Sequence, residues 1–167
     1  MNCTRRTTKI LAGAGLACLA GLAAAEEQAV LSNISDVRFA PFPDFPTCAT
    51  GAVQKGDPAT QPSIIIAKMT KGCTVPWHWH TPNEHLMMTA GEARLATRDG
   101  GKAQPLRAGG FALMPAKHVH RIECVSKVCV LFVYADAAPF DIHYADAQGN
   151  EIPPGEALKA VKETAAK

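Results

Sequence analysis

The feature of this sequence that most constrains its fold is a series of short β-prone runs separated by glycine- and proline-containing turns. The run from Ser63 to Met69 is rich in β-branched residues, and the run from Val128 to Ala135 is the most hydrophobic. Only residues 155–165, where Leu158 and Val161 are three apart, show a helical pattern. About eight to ten short strands at this spacing predict an all-β sandwich or barrel with a short C-terminal helix. Further strands are predicted at residues 77–80, 84–90, 92–98, 111–115, 120–125 and 140–146.

The beginning of the chain resembles a leader segment. Residues 1–25 combine a basic start, an apolar stretch from Ile10 to Leu22 and three small residues from Ala23 to Ala25, which is the pattern of a secretory signal peptide. Two arginines in the leader leave both a general secretory and a twin-arginine route open. We therefore expect a periplasmic or secreted protein with no stable membrane span. The remaining expected segments are an irregular stretch with short edge strands at 26–62, one barrel at 63–145, and a turn and helix at 146–167.

The charge balance argues against a nucleic-acid-binding protein. Residues 1–25 contain three basic and no acidic residues, so that 14 Lys and Arg remain against 15 Asp and Glu in residues 26–167. The formal net charge of +2 therefore belongs to the leader, and no basic patch remains that would attract nucleic acid. The length of the chain suits one domain with a substantial core.

Four cysteines remain beyond the leader, and an even number in an oxidising compartment predicts disulfides. With Ser126 and Lys127 as a two-residue turn, Cys124 would lie directly opposite Cys129 on a neighbouring strand. We therefore predict a cross-strand Cys124–Cys129 disulfide, which leaves Cys48–Cys73 as the remaining pair. Two alternatives stay open, namely four buried free thiols and a Cys124 that points into the barrel.

The segment that carries most of the functional information is WHWHTPNEH, residues 77–85. His78 and His80 are two apart on a predicted strand, so that their imidazoles project from the same face. After a turn, Glu84 begins the returning strand, and its carboxylate can reach the same point. His85 alternates to the opposite face and is excluded. The alternative is that these residues are ordinary polar residues on a solvated hairpin.

A fourth donor would have to come from another strand. The histidines that remain are His118, His120 and His143. His120 lies at the start of a predicted strand, with Ile122 on the same face, whereas His118 lies in the preceding turn. His120 is therefore the better candidate.

Two motifs in this sequence resemble those of the cupin family. The spacing Gly72-x5-His78-x-His80-x3-Glu84-x6-Gly91 resembles the complete first motif, and Gly109-x5-Pro115-x4-His120 resembles the second. The resemblance covers about residues 64–134. Two positions of the second motif depart from the family, because Lys117 stands where glycine is usual and Cys124 where asparagine is frequent. Neither is a ligand position in the family.

The resemblance implies a small antiparallel jelly roll in which His78, His80, Glu84 and His120 bind a divalent ion inside the barrel. Three imidazole nitrogens and a carboxylate suit Fe(II), Mn(II), Ni(II), Zn(II) or Cu(II), and the ligand types do not choose among these ions. One or two coordination positions would remain open for a substrate.

Several other residues are candidates for the pocket. His118 and Tyr134 are the candidates for moving a proton, and an apolar lining is predicted from Leu86, Met88, Phe111, Leu113 and Ile122. Trp77 and Trp79 must face away from the histidines, and packing or shielding of the site is the favoured interpretation. A further set could line the mouth of the pocket and hold an anionic substrate, but a solvated strand face is the favoured interpretation for its members, which are Arg94, Arg98, His118, Arg121 and His143.

This interpretation of the sequence is consistent with two functions of different classes. The first is an exported metal-dependent enzyme that acts on a small organic acid, carbonyl compound or phenol, since similar cupins include dioxygenases, decarboxylases and isomerases. The second is a non-catalytic periplasmic protein that binds a metal, a ligand or a partner. The sequence leaves catalysis open. Because cupins often dimerise through their sheets, we also consider a homodimer.

Overall fold

Short strands are the main regular elements of the structure, which is a computed structural model that describes residues 28–165. The predicted signal peptide at residues 1–25 lies outside the described residues, and residues 28–32 have no regular secondary structure. The elements of residues 33–165 are β1 (Ala40–Pro41), β2 (Ala49–Lys55), β3 (Ser63–Thr70), β4 (Thr74–Trp79), β5 (Glu84–Ala90), β6 (Glu92–Thr97), β7 (Gln104–Arg107), β8 (Phe111–Met114), β9 (His120–Cys124), β10 (Val128–Ala135), β11 (His143–Ala145), β12 (Glu151–Ile152) and α1 (Pro154–Ala165).

The strands form two six-stranded sheets around one hydrophobic core. The first sheet has the order β1-β2-β3-β10-β5-β8, and the second has the order β12-β11-β4-β9-β6-β7. Every strand pairing between described residues is antiparallel. The predicted all-β antiparallel jelly roll with a short C-terminal helix is therefore confirmed.

Side chains alternate across the sheets, which fixes what faces the core. In β5, Glu84, Leu86 and Met88 are buried, whereas Met87 is 45% exposed. β10 lies between β3 and β5 and supplies Leu131 and Val133 to the core. Each fully buried Leu, Val or Met side chain contributes about 1.5–3 kcal/mol of hydrophobic stabilisation.

A β-bulge in β4 controls which of its residues point inwards. Val75 pairs with Ile122 and His78 pairs with His120, so that Pro76 and Trp77 together lie opposite the single residue between those partners in β9. This extra residue allows Val75 and His78, which are three apart, to face the core together. Proline is tolerated in a central strand at such a bulge because it has no N–H to donate to the ladder.

The backbone conformation explains which residue type is usual at two positions of the motifs. Gly91 joins β5 to β6 with φ of 86°, and a Cβ at this position would collide with the carbonyl oxygen of Val128. Lys117 has φ of 62°, in the left-handed region that favours glycine. The glycine that is usual at the position of Lys117 therefore matches the backbone conformation of the turn, and lysine occupies it at some cost in strain.

Both predicted disulfides are present, but the Cys124–Cys129 disulfide joins the two sheets and not two strands of one sheet. Cys124 ends β9 in the second sheet, whereas Cys129 belongs to β10 in the first sheet. The prediction of a hairpin pair within one sheet was therefore wrong, because the chain crosses from one sheet to the other between the two cysteines. The Cys124–Cys129 disulfide links the sheets, with a Cα–Cα distance of 5.8 Å, and Cys48–Cys73 joins the start of β2 to the start of β4 with 5.6 Å.

The strand boundaries follow the predictions closely for β3, β5, β6 and β8 to β10. The strand predicted at 77–80 differs more, because β4 is Thr74–Trp79 and His80 lies beyond its end. β10 has the predicted bounds, and β5 and β6 are separated at Gly91 as expected. β7 was not predicted, and the strand expected at 140–146 is limited to His143–Ala145. Three strands outside residues 63–145, β1, β2 and β12, pair within the sheets. Within residues 28–165, no helix is both long and apolar enough to cross a membrane.

Candidate metal centre

Three imidazoles and one carboxylate meet inside the barrel near the ends of three strands. His78 lies in β4, His80 follows this strand, Glu84 begins β5 and His120 begins β9. One nitrogen from each of the three histidines lies within 4.8 Å of the other two. The four residues, referred to below as the His/Glu cluster, are between 1% and 6% exposed. The structure thus brings together all four residues that the sequence predicted as ligands.

Hydrogen bonds to backbone carbonyls fix the tautomers of the three histidines. The Nδ1 atom of His78 lies 2.6 Å from the carbonyl oxygen of Pro76, and that of His120 lies 2.9 Å from the carbonyl oxygen of His118. The Nδ1 atom of His80 contacts the carbonyl oxygen of Asp141. Because a carbonyl can only accept, each Nδ1 must carry the proton, and each Nε2 presents a lone pair. Metal-binding histidines are oriented in this way.

The carboxylate of Glu84 brings a further acceptor to the same point. Its Oε2 atom lies 3.1 Å from Nε2 of His120 and 3.7 Å from Nε2 of His80. The Oε2 atom of Glu84 and Nε2 of His80 are buried and have no hydrogen-bond donor among the described residues. Several buried lone pairs that face one another are unfavourable unless a cation lies between them. This donor set fits a divalent first-row transition metal.

The electrostatics of the cluster favour the protonation states that a metal requires. Burial lowers the pKa of His78 well below its ordinary value, and the neighbouring imidazoles of His120 and His80 lower it further. Burial also lowers the pKa of His80, against the opposing attraction of Glu84. Burial acts to raise the pKa of Glu84, but its interactions with His80 and His120 outweigh this effect and hold that pKa below its ordinary value. Neutral His78 and His80 and an ionised Glu84 are therefore favoured at neutral pH.

A cavity of about 100 Å³ lies beside the cluster in the barrel. His78, Glu84 and His120 border it, and Thr50 is the remaining polar residue of its lining. The rest of the lining is apolar and includes Phe42, Phe45, Ile65, Leu86, Leu131 and Phe140. An apolar cavity of about 150 Å³ accommodates benzene, so this cavity has room for only a few non-hydrogen atoms of a ligand.

Part of the predicted pocket lining lies elsewhere. Leu86 and Ile122 line the cavity as expected, whereas Met88 is fully buried in the core and does not border it. Phe111 and Leu113 are 58% and 45% exposed, so their assignment to the lining was wrong. In β8 the inward positions are Ala112 and Met114, which pair with Leu86 and Glu84, because the alternation has the opposite phase from the one expected.

The two predicted proton-transfer candidates also point away from the cavity. The imidazole of His118 lies 3.1 Å from the carboxylate of Asp99, and only the carbonyl of His118 contacts the cluster. Tyr134 lies on the outer face of the first sheet, where its ring centroid is 5.4 Å from that of His85. His85 faces outwards, as predicted from alternation. Neither candidate can reach a ligand bound in the cavity.

The residues around the two tryptophans form contacts on the outer face of the second sheet. Trp79 stacks on His143 with ring centroids 3.9 Å apart, and the guanidinium of Arg121 lies 4.9 Å from the centroid of Trp77. These contacts support the packing interpretation of the tryptophans. Arg94 and Arg121 line a surface groove rather than the cavity beside the cluster.

Sequence reasoning missed the residues that come from distant parts of the chain. Asp141, which contacts His80, is 61 residues away from it in sequence. Phe42 and Phe45 lie in a proline-rich segment without strand periodicity, and Phe140 lies in the connection between β10 and β11. Because no spacing rule connects these residues with the His/Glu cluster, nothing in the sequence indicated their position.

Comparison with known proteins identifies the fold family. Residues 65–134 match the family model described as cupin domain. This match agrees with the two motifs, the jelly roll and the His/Glu cluster described above, and it supports a small protein of the cupin superfamily. No curated protein sequence matches the chain.

Solved structures with the same fold have low sequence identity to this chain. The polyketide cyclase RemF of Streptomyces resistomycificus has a TM-score of 0.62 and 15% identity, over 78% of this chain and 99% of that one. An RmlC-like cupin of Ralstonia eutropha JMP134 has a TM-score of 0.58 and 16% identity, over 83% and 88%. A candidate acetylacetone dioxygenase of Methylibium petroleiphilum PM1 has a TM-score of 0.58 and 17% identity, over 78% and 90%. At these identities, the similarity establishes the fold alone.

Proposed function

We propose that this chain is an exported cupin that binds one divalent first-row transition metal through His78, His80, Glu84 and His120. The observation that carries the proposal is the convergence of buried lone pairs, because Glu84 Oε2 and His80 Nε2 have no donor among the described residues. Hydrogen bonds from the three Nδ1 atoms to backbone carbonyls leave the Nε2 atoms free to coordinate. Iron, manganese, nickel, zinc and copper all suit this donor set.

The cavity supports a small ligand with an apolar body. A bound ion would act as a Lewis acid or oxygen-binding centre and would leave one or two positions open for a ligand. Phe42, Phe45 and Phe140 line the cavity and are partly buried. Their rings exclude water from the side of the cluster, which strengthens electrostatic interactions there. A small organic acid or carbonyl compound combines an oxygen donor with a body that suits this lining, whereas a phenol, which is larger than benzene, would need more room than the cavity of about 100 Å³ provides.

We assign enzymatic activity as the first of two candidate functions. Similar folds include a polyketide cyclase and a candidate acetylacetone dioxygenase, which are proteins named for small-molecule chemistry. The second candidate is a non-catalytic protein that binds a metal or a small ligand. One observation favours this second candidate: apart from the cluster itself, Thr50 is the single polar residue in the described lining of the cavity. A separate general acid or base is therefore not provided by the described lining.

Metal binding is tested with variants of the cluster and a matched control. Glu84→Gln removes the charge and keeps the shape, His120→Ala removes one imidazole, and His85→Ala removes a neighbouring imidazole that faces outwards. Bound metal is measured by mass spectrometry after loading, and affinity by competition with a chelator. We expect one ion per chain in wild type and His85→Ala. The two cluster variants should lose more than about 100-fold in affinity, which exceeds the usual effect of second-sphere partners.

The outcome that would contradict this site is specific. Equal affinity in wild type, Glu84→Gln and His120→Ala would show that any bound ion lies elsewhere. Catalysis is tested separately, by measuring oxygen consumption and product formation by the metal-loaded protein against a panel of small carbonyl and phenolic compounds. Turnover that His120→Ala abolishes supports the enzyme, whereas binding of a panel member without turnover supports the binding protein.

We propose export because residues 1–25 have the pattern of a secretory signal peptide, and the two disulfides of the structure agree with this proposal. Disulfides form and persist in oxidising compartments. Mass spectrometry of the protein recovered from an expressing cell is expected to find a mature chain that begins at about residue 26, in the periplasm or the medium. A full-length chain retained with reduced cysteines inside the cell would contradict this part of the proposal.

A further inference from the structure

We propose that Asp141 is a positioning residue that sets the orientation and the tautomer of His80, an inference that rests on the proposed metal site. The backbone carbonyl of Asp141 accepts the hydrogen bond from Nδ1 of His80. His80 lies one residue beyond the end of β4, and its carbonyl accepts a hydrogen bond of 2.8 Å from the backbone N–H of Lys117. This bond holds the backbone and leaves the direction of the ring to the contacts of the side chain. The contact with Asp141 therefore decides where its Nε2 atom points.

The side chain of Asp141 holds the residue that follows His80. Its Oδ1 atom accepts a hydrogen bond of 2.8 Å from the backbone N–H of Thr81, and its Oδ2 atom accepts one of 2.6 Å from the Thr81 hydroxyl. The same residue thus contacts the ring of His80 through its carbonyl and the backbone after His80 through its carboxylate. These contacts, called the Asp141 clamp below, fix the ring and the backbone of His80 relative to each other.

Asp141 is itself held in place by its neighbours. Nε2 of His143 lies 3.0 Å from Oδ2 of Asp141, and Nδ1 of the same ring lies 2.8 Å from a carboxylate oxygen of Glu151. The ring of His143 is stacked on Trp79, the last residue of β4. The preceding residue, Phe140, packs its ring 4.5 Å from that of His80. The segment that carries the clamp is therefore attached to the second sheet at several points.

A comparison of the three imidazoles shows why this role is particular to His80. His78 and His120 each use the carbonyl of the residue two positions earlier in the chain, Pro76 and His118 respectively. Those contacts form as soon as the local backbone is folded. His80 depends on a carbonyl 61 residues away, so that its orientation requires a tertiary contact. Removal of the clamp should therefore change His80 and leave His78 and His120 unchanged.

The first experiment uses metal-free protein and nitrogen NMR of labelled histidines. In wild type, all three cluster histidines should show the proton on Nδ1. Asp141→Ala keeps the backbone carbonyl that accepts from Nδ1 of His80 but removes the carboxylate that holds Thr81. The carbonyl and the ring should then no longer be held together, so that His80 becomes a mixture of tautomers and His78 does not change. Thr81→Val, which removes only the hydroxyl donor, should produce a smaller change of the same kind and covers the case in which Asp141→Ala fails to fold. The matched control is Asp146→Ala, because Asp146 accepts hydrogen bonds from Gln148 and Asn150 within its own turn.

The second experiment measures affinity for Zn(II) by chelator competition with the same variants. Asp141→Ala should bind about 10- to 100-fold more weakly, Thr81→Val should be affected less, and Asp146→Ala should match wild type. Unchanged tautomer and affinity in folded Asp141→Ala, with binding lost in His80→Ala, would overturn the inference and leave the proposed metal site intact. A changed His80 tautomer in a protein whose wild type binds no metal would support the inference and refute the proposed function.

Discussion

The two ends of the barrel are held together by different means. At one end, called the disulfide end below, the Cys48–Cys73 and Cys124–Cys129 disulfides link the sheets, and the backbone N–H of Cys124 donates to the carbonyl of Cys73 over 2.9 Å. At the other end, called the ligand end, hydrogen bonds from the imidazoles to backbone carbonyls hold the His/Glu cluster. The register of β4 and β9 places the two ends apart, because Thr74 pairs with Glu123 and His78 pairs with His120.

The two ends contribute to different properties, because the disulfide end stabilises the fold and the ligand end carries the proposed metal site. Burial of unpaired acceptors at the ligand end is unfavourable, since each buried polar group without a partner costs about 1–3 kcal/mol. The disulfides at the other end constrain the unfolded chain and offset such costs without contact with the cluster. We therefore expect changes at the disulfide end to alter the free energy of unfolding and leave metal affinity unchanged.

The largest expected effect on stability comes from the Cys48–Cys73 disulfide. The two cysteines are 25 residues apart in sequence, and loop-closure entropy for a loop of this size gives about 3–4 kcal/mol. Replacement of both by serine should lower the free energy of unfolding in urea by this amount. Affinity for Zn(II) should remain within about twofold of wild type when the variant is folded. A matching loss of affinity would show that the two ends are coupled.

The next largest effect on the free energy of unfolding comes from binding of the metal ion. An ion at 100 times its dissociation constant that binds only the folded chain raises the free energy of unfolding by about 2.7 kcal/mol. Thermal or urea unfolding with and without the ion measures this increment. Glu84→Gln should show little increment at the same ion concentration, whereas His85→Ala should show the full one. Equal increments in both variants would contradict a site at the ligand end.

A smaller effect is expected from the Cys124–Cys129 disulfide. Its cysteines are five residues apart in sequence, and the shorter loop reduces the entropic contribution to about 2 kcal/mol. The double serine variant should therefore be more stable than the variant that lacks Cys48–Cys73. The reverse order in urea unfolding would mean that the link between β9 and β10 stabilises the sheets beyond its loop entropy.

The smallest effect concerns pH and His143, near the ligand end. Burial acts to lower the pKa of His143, but its hydrogen bonds to Glu151 and Asp141 outweigh this effect and raise the pKa above the ordinary value of 6.5. The stabilisation is therefore fully present below the unfolded pKa and is lost as the pH rises through the higher folded pKa. His143→Gln should be destabilised by less than about 1 kcal/mol at acidic pH and by less above neutrality. An opposite pH trend in urea unfolding would contradict the assigned contacts.

The sequence predicted the ligand end better than its surroundings. The positions of His78, His80 and Glu84 follow from strand alternation and a tight turn, which are local properties. His120 was predicted from its place at the start of a strand and from the family motif. The inward direction of Val75 together with His78 depends on the bulge, which has no clear signal in the sequence.

The wrong predictions concern the sheet to which a strand belongs and the face of the sheet on which its side chains lie. The connectivity of Cys124–Cys129 was predicted correctly from spacing, but the sheets that it joins depend on long-range pairing of β9 and β10. Phe111 and Leu113 were assigned inwards because β8 is short and offers no polar residue to reveal its phase. Phe42 and Phe45 come from a segment without strand periodicity. Phe140 and Asp141 belong to the stretch predicted as a strand at 140–146 but lie outside β11, so that tertiary folding places them beside the cluster.

The most direct test of the central claim is a crystal structure of the Zn(II)-loaded protein with anomalous diffraction at the zinc edge. We expect a single ion inside the barrel, with Nε2 of His78, His80 and His120 at about 2.0–2.1 Å and a Glu84 oxygen at about 2.0–2.2 Å. An anomalous peak outside the barrel, or one inside it that His120 does not contact, would contradict a metal site at the His/Glu cluster.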